Sequence, residues 1–466
     1  MGALRRGFAR ARRGAALAAT VAALACGAGN DAPAGAPQAA AGDTRPPAPS
    51  GLLGPLLIVD QDAGAALPDG ERTGALLIAL EADADGSFAA PRLAASDPRW
   101  LDPTDALALP DGSWLVLESQ WSPDGGPARG AIFRVTVERV AGEGGRLSVP
   151  ALRVDPEPWW TDSRSRQPVA LARDGQGTLF VSDRDADPLG LRVAEPGRRT
   201  GCVFGIEVGA DGRPARTGVV AAGPELATPG ALLASGPLLL LLDADANPRG
   251  LIAADGRAAT PGVLFDLLQL DDEDRLAPRF LHVLLESEVT TSPVGLIERR
   301  PTLLRDGLTW RPLPQDALLD EVHVAPEVYL ADANFDIAPD RLGDGALFRV
   351  EFFQKEFHDV PGLPARGLAA RLRCVAETSV LGAHALVDPT WGCPLPDGRL
   401  AIADANADPR HLGADEGGKG VYGRGHGAVF AWDPDRPDAL EVLAASELFV
   451  TPVAVRRLAP PDGADH

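Results

Sequence analysis

The chain is short of several residue types. Of its 466 residues, four are Cys, one is Met, two are Tyr and seven are His, and aromatics make up 5%. Lys355 and Lys419 are its only lysines. No Cys-x-x-Cys or Cys-x-x-Cys-His occurs, which excludes a zinc ribbon and a c-type haem. There is no Gly-x-Ser-x-Gly elbow, P-loop or dinucleotide fingerprint, so no nucleotide or flavin is expected. Beyond the N-terminus no apolar run reaches transmembrane length without charges. Basic charge is scarce as well, and a net charge of −21 argues against nucleic acid as a partner.

What the chain has is a repeated phrase. A short apolar strand ends in an acid, and alternate Asp or Asn residues follow. It occurs at Asp183-Arg-Asp185-Ala-Asp187, Asp243-Ala-Asp245-Ala-Asn247, Asp332-Ala-Asn334-Phe-Asp336 and Asp404-Ala-Asn406-Ala-Asp408, with weaker copies at Asp60-Gln-Asp62 and Glu118. The copies recur every roughly 60–90 residues, the mark of a repeat architecture. Upstream of each lies a proline expected to open a first strand: Pro103, Pro168, Pro229, Pro314, Pro389 and finally Pro452. Downstream a third strand begins at glycine: Gly74, Gly130, Gly201, Gly250, Gly345 and Gly427. A vaguer fourth strand, such as Ser148–Val154, closes the unit. Short apolar runs between Gly, Pro and Asp turns read as buried strands. Four strands per unit in six units predict an all-β fold, a six-bladed β-propeller over residues 51–460 with a short tail at 461–466. No proline-led strand fits before Asp60, and a spare one follows the sixth unit, so the C-terminus is expected to close blade one. The stretch from about Leu267 to Pro312 exceeds a normal blade and is read as a long insertion, with a seventh blade as the alternative.

The N-terminus reads as an export signal over residues 1–25. Arg5-Arg6-Gly-Phe-Ala-Arg10 resembles a twin-arginine motif, and Ala23-Leu-Ala-Cys26 resembles a lipoprotein cleavage box with Cys26 as the lipidated residue. Residues 26–50 have the composition of a disordered tether. The expected location is therefore periplasmic or cell-surface, held to the membrane by lipid alone. Loss of Arg5, Arg6, Arg10, Arg12 and Arg13 with the signal would take the charge from −21 to −26. Cys374 and Cys393 are the disulfide candidates in such a compartment.

Three features bear on chemistry. The first is the acids at i, i+2 and i+4. One reading makes the first acid of each phrase a strand cap. The other makes Asp183, Asp185, Asp187, Asp243, Asp245, Asn247, Asp332, Asn334, Asp336, Asp404, Asn406 and Asp408 ligands of Ca²⁺ or another divalent cation, because alternate oxygens in a turn point one way. The second is a set of aromatics on the same predicted face: Trp100, Trp121, Trp159, Trp160 and Trp391, with Asp162 beside the Trp pair. They suit a sugar or cationic ligand, or else wedge between blades. The third is the Gly-rich loop from Arg410 to His426, where Tyr422 and His426 are candidate acid–base groups, although such loops are commonly just mobile.

The phrasing of proline-led strand, apolar strand ending in Asp, and Gly-x-Ile-Phe resembles the NHL-type and gluconolactonase-like six-bladed propellers. That resemblance implies a divalent ion at the central channel, held by Glu, Asn and Asp, with the Asn early on an inner strand. The matching positions here are Asp105, Val169, Gly230, Asp316, Trp391 and Val453; the Asn is absent, and Asp105 and Asp316 are its only substitutes. Two functions follow. One is a binding propeller for a small ligand, glycan or extracytoplasmic protein. The alternative is a metal-dependent lactone or ester hydrolase.

Overall fold

A computed structural model describes residues 55–63, 74–79, 91–123, 126–139, 150–195, 198–236, 238–248, 262–269, 274–287, 293–300, 326–333, 345–356, 366–377, 386–409 and 426–458. Cys26, Asp316, Asn334, Asp336 and Tyr422 lie outside them.

The strands form six antiparallel sheets of four. Blade one runs outward as Pro452–Arg457, Leu56–Asp60, Ala75–Ala79 and Arg92–Ser96. Blade two is Pro103–Ala108, Trp114–Glu118, Ala131–Arg139 and Pro150–Val154. Blade three is Pro168–Arg173, Leu179–Asp183, Cys202–Val208 and Pro214–Ala222. Blade four is Pro229–Ser235, Leu238–Asp243, Gly262–Leu268 and Phe280–Ser287. Blade five is Pro293–Arg300, Glu327–Asp332, Ala346–Glu356 and Arg366–Glu377. Blade six is Pro389–Pro394, Leu400–Asp404, Ala428–Asp433 and Arg436–Ala444. Each inner strand touches the next around the ring, and that of blade six touches that of blade one. The fold is a six-bladed propeller, and its C-terminal strand closes blade one as the spare proline-led strand predicts. Leu56 to Asp60 pair with Arg457 to Pro452, so the first sheet carries no open inner edge.

The apolar runs have a direct cause. Second strands such as Leu56–Asp60, Trp114–Glu118, Leu179–Asp183 and Leu400–Asp404 are buried at every residue, since neighbouring blades cover both faces. Burial then fades outward, and Arg92–Ser96 on the rim of blade one is largely exposed.

One recurring joint sets the top face, where inner strands begin and second strands end. The leading proline opposes the acid in every blade: Pro452 with Asp60, Pro103 with Glu118, Pro168 with Asp183, Pro229 with Asp243, Pro293 with Asp332 and Pro389 with Asp404. Each inner strand is irregular in register just after its proline. The glycine that opens a third strand packs on the leading proline of the next blade. A Cβ at Gly130 would overlap the Pro168 ring, and one at Gly427 would overlap Pro452; both glycines also adopt positive φ, +67° and +98°.

Three expectations are corrected. The stretch from Leu267 to Pro312 is no insertion or extra blade as a whole, because it carries the outer strand of blade four and the inner strand of blade five. Blade five therefore opens at Pro293 and not at Pro314. The third strand of blade four begins at Gly262 and not at Gly250.

Candidate functional site

The first acid of each phrase is fully buried. Asp183 accepts bonds from the Ser165 hydroxyl at 2.7 Å and from the backbone N–H groups of Arg166, Gln167, Asp185 and Ala186 at 2.8–3.0 Å. Asp404 accepts from Val387, Asp388, Asn406 and Ala407 at 2.7–3.1 Å. Asp243 accepts from Ala227, Thr228 and Asp245 at 2.8–3.1 Å, and Asp60 from Val450, Thr451 and Asp62 at 3.0–3.1 Å. Glu118 takes the N–H groups of Asp102 and Gln120. Each carboxyl thus ties the crossing into its blade to the turn leaving its own strand. Burial pushes four of them up despite the bonds, Asp60 and Asp243 to about 6, Asp404 to about 7 and Glu118 to about 8.

The later acids are also engaged, and they do not converge. Asp185 pairs with Arg192, and Asp187 accepts the N–H groups of Leu191 and Arg192 at 2.7 and 2.9 Å. Asp245 accepts the Thr228 hydroxyl at 2.8 Å and pairs with Arg199. Asn406 is buried, while Asn247 and Asp408 are half-buried. Among the described residues no three His, Cys, Asp or Glu side chains gather as metal ligands. Where their partners are seen, the oxygens of Asp183, Asp185, Asp187, Asp243, Asp245 and Asp404 serve as capping and pairing groups.

The channel position fares the same way. Asp105 accepts the Leu171 N–H at 2.9 Å and the Ala106 N–H at 2.8 Å, and it receives Arg456 at 2.5 Å. Arg456 also bonds the carbonyls of Ala106 at 3.0 Å and Gly392 at 3.2 Å, so one guanidinium spans the inner strands of blades six, one and two. Desolvation raises Asp105 even against the pull of Arg456. A divalent ion does not fit an aspartate enclosed by an arginine and two backbone amides.

The aromatic set lies largely inside the protein. Trp100, Trp160 and Trp391 are buried in the core. Trp100 meets Phe133 edge-on at 6.5 Å, and Trp160 packs on Phe204 at 5.7 Å while its indole N–H bonds Thr217 at 3.1 Å. Trp121 is half-buried against Phe133, and half-buried Trp159 donates to the Gly212 carbonyl at 2.8 Å. These rings wedge between strands and blades, so the buried ones have no face for a sugar. Asp162 is clasped by Arg164, which holds its carboxyl below the usual range although burial alone would raise it. His426 is buried beside Gly427, and its Nε2 has no hydrogen-bond partner among the described residues. Cys374 and Cys393 form no disulfide. One lies on the outermost strand of blade five and the other on the innermost strand of blade six.

A residue the motifs do not single out stands out on the top face. Arg184 follows the capping Asp183, is exposed, and uses its backbone N–H on the Gln167 carbonyl at 3.0 Å. Its guanidinium makes no hydrogen bond or ion pair among the described residues. The surrounding protein desolvates it enough to lower its pKa, against the pull of Asp102 in blade two, Asp183 in its own blade, and Asp243 and Asp245 in blade four. Asp102 accepts from Ser119 at 2.6 Å and from Gln120 at 3.1 Å. Asp245 also lines a cleft of about 400 Å³ between blades three and four, with Arg198, Arg199, Glu225 and Asn247. The only signal in the sequence is position: Arg184 stands where blades four to six have Ala244, Ala333 and Ala405.

No family model matches this chain, and no curated protein matches it. Solved structures are similar. A periplasmic gluconolactonase of Pseudomonas aeruginosa is 16% identical with a TM-score of 0.44, over 87% of this chain and 98% of that one. A glucose dehydrogenase is 15% identical with a TM-score of 0.36, over 76% and 94%. A hydrazine synthase of Kuenenia stuttgartiensis is 10% identical with a TM-score of 0.38, over 86% and 47%. The resemblance to gluconolactonase-like propellers is one of fold, and it brings no chemistry to this chain.

Proposed function

We propose that this chain is an exported, lipid-tethered binding propeller whose top face, around Arg184 and the cleft between blades three and four, takes a polyhydroxylated small molecule. The observation that carries the reading is the exposed Arg184 guanidinium, which has no hydrogen-bonding partner among the described residues while acids of three blades act on it electrostatically. A planar five-donor fork beside the acceptor Asp102 and the amide Gln120 suits a ligand that offers both oxygens and hydroxyls. The N-terminal Arg pair and the box ending at Cys26 support export and tethering. The test is a thermal-shift panel of sugars, aldonates and lactones on the wild type and Arg184→Gln. A stabilising ligand lost in the variant supports the reading, since a ligand of the folded state raises its melting temperature. A panel that moves neither protein, or both equally, overturns it.

A further inference from the structure

The side wall between blades five and six carries a second charge anomaly. Arg349, on the third strand of blade five, lies directly opposite Arg373 on the fourth. Opposed residues hold their Cβ atoms about 4.5–5.5 Å apart, and like charges there destabilise the pair. Both side chains are exposed, and among the described residues neither has a hydrogen-bonded or ion-paired partner. The acids nearby are engaged elsewhere. Glu351 pairs with Arg371 at 2.7 Å, while Glu327 and Asp435 pair with the buried Arg299 at 3.2 and 2.7 Å. Glu327 also accepts the Tyr329 hydroxyl at 2.5 Å. In a chain of net charge −21, two adjacent guanidiniums without an acid are not explained by folding.

The pair lines a cleft of about 200 Å³ with Tyr329, Cys374, Pro434 and Pro437. Its far wall is the last hairpin of blade six. The floor is rigid: Tyr329 meets Trp432 edge-on at 5.2 Å, and the Trp432 indole donates to the Pro437 carbonyl at 3.1 Å. Two neighbouring guanidiniums over a fixed floor supply several charged N–H donors for a tetrahedral oxyanion, a ligand for which arginine is suited.

We propose that this lateral cleft binds a small oxyanion of the phosphate or sulfate type through Arg349 and Arg373, independently of the top face. The test is calorimetric titration of the full chain with inorganic phosphate and with sulfate, at constant ionic strength. Saturable binding is expected. The variant Arg349→Gln with Arg373→Gln should weaken it about 10- to 100-fold, the scale of lost charge-assisted hydrogen bonds. Arg371→Gln, which removes the guanidinium already paired with Glu351, should leave it unchanged. The double variant relieves a like-charge contact, so its melting temperature should not fall, and lost binding cannot be laid to unfolding. Sedimentation with phosphatidylglycerol vesicles, abolished in the double variant, would place the oxyanion on a lipid headgroup; binding of free anion alone would make it soluble. No saturable binding of either anion, or equal binding by the double variant, overturns the proposal.

Discussion

Blades one to three and blades four to six do the same backbone work with different side chains. The residue after the capping acid donates its N–H to the carbonyl just before the leading proline, at 3.0 Å for Gln61, Ser119, Arg184 and Ala405 alike. In blades four to six that residue is Ala244, Ala333 or Ala405, which shows that the joint needs no side chain there. The polar residues of the other half are therefore free of the fold's demands. Ser119 spends its hydroxyl on Asp102, and Arg184 spends its guanidinium on nothing described. Charge with partners builds this molecule, and both proposed sites rest on charge that has no partner among the described residues.

The comparison can be broken most forcefully at the caps. Asp183→Ala leaves buried N–H groups without an acceptor and should cost roughly 3–5 kcal/mol. Asp185→Ala, two residues on, removes only an exposed pair with Arg192 and should cost under about 1 kcal/mol. Urea unfolding of the two variants reads the difference. Next in size is the joint between blades. Gly130→Ala forces a methyl into the Pro168 ring from a positive-φ position, and a loss of roughly 2–4 kcal/mol is expected in the same assay.

Acidity sharpens the comparison further. Asp60, Glu118, Asp243 and Asp404 have folded pKa values raised by burial, as does Asp266 in blade four at about 7, whose Oδ1 has no hydrogen-bond partner among the described residues. A raised carboxyl binds its proton more tightly when folded, so stability is full below the unfolded value and is lost as pH rises through the folded one. The window runs from about 4 up to the Glu118 value of about 8. Melting temperature should fall across it by an amount equivalent to a few kcal/mol, while the lowered carboxyls of Asp97 and Asp162, held by arginines, and of Asp111, held by Ser113 and Arg134, weaken the fold only at lower pH. A melting temperature that is flat or rises from pH 5.5 to 8 would show that the caps stay ionised.

The parts legible in the sequence are those made by local chemistry. Proline, acid and glycine each act within a turn or across one joint, so their order alone predicts six blades and the closing strand. The boundary between blades four and five is not local. Pro314-Gln-Asp-Ala-Leu mimics Pro103-Thr-Asp-Ala-Leu, yet Pro293 is the residue that opposes Asp332. Only strand register separates the two. The tryptophans misled for a related reason: Trp100, Trp160 and Trp391 lie near top-face crossings in sequence, but their side chains turn into the core. Arg349 and Arg373 are 24 positions apart, and nothing but register makes them neighbours. Arg184 was hidden by composition, in a chain that uses arginine for nearly every basic residue.

Two adjacent residues separate capping charge from unpartnered charge most directly. Asp183→Ala and Arg184→Gln should be unfolded in urea side by side. The expected losses are roughly 3–5 kcal/mol for the first and no more than about 0.5 kcal/mol for the second, whose exposed guanidinium has no partner among the described residues. Equal losses, or a larger loss for Arg184→Gln, would mean that the arginine is part of the joint, and the division between structural and binding charge would fail.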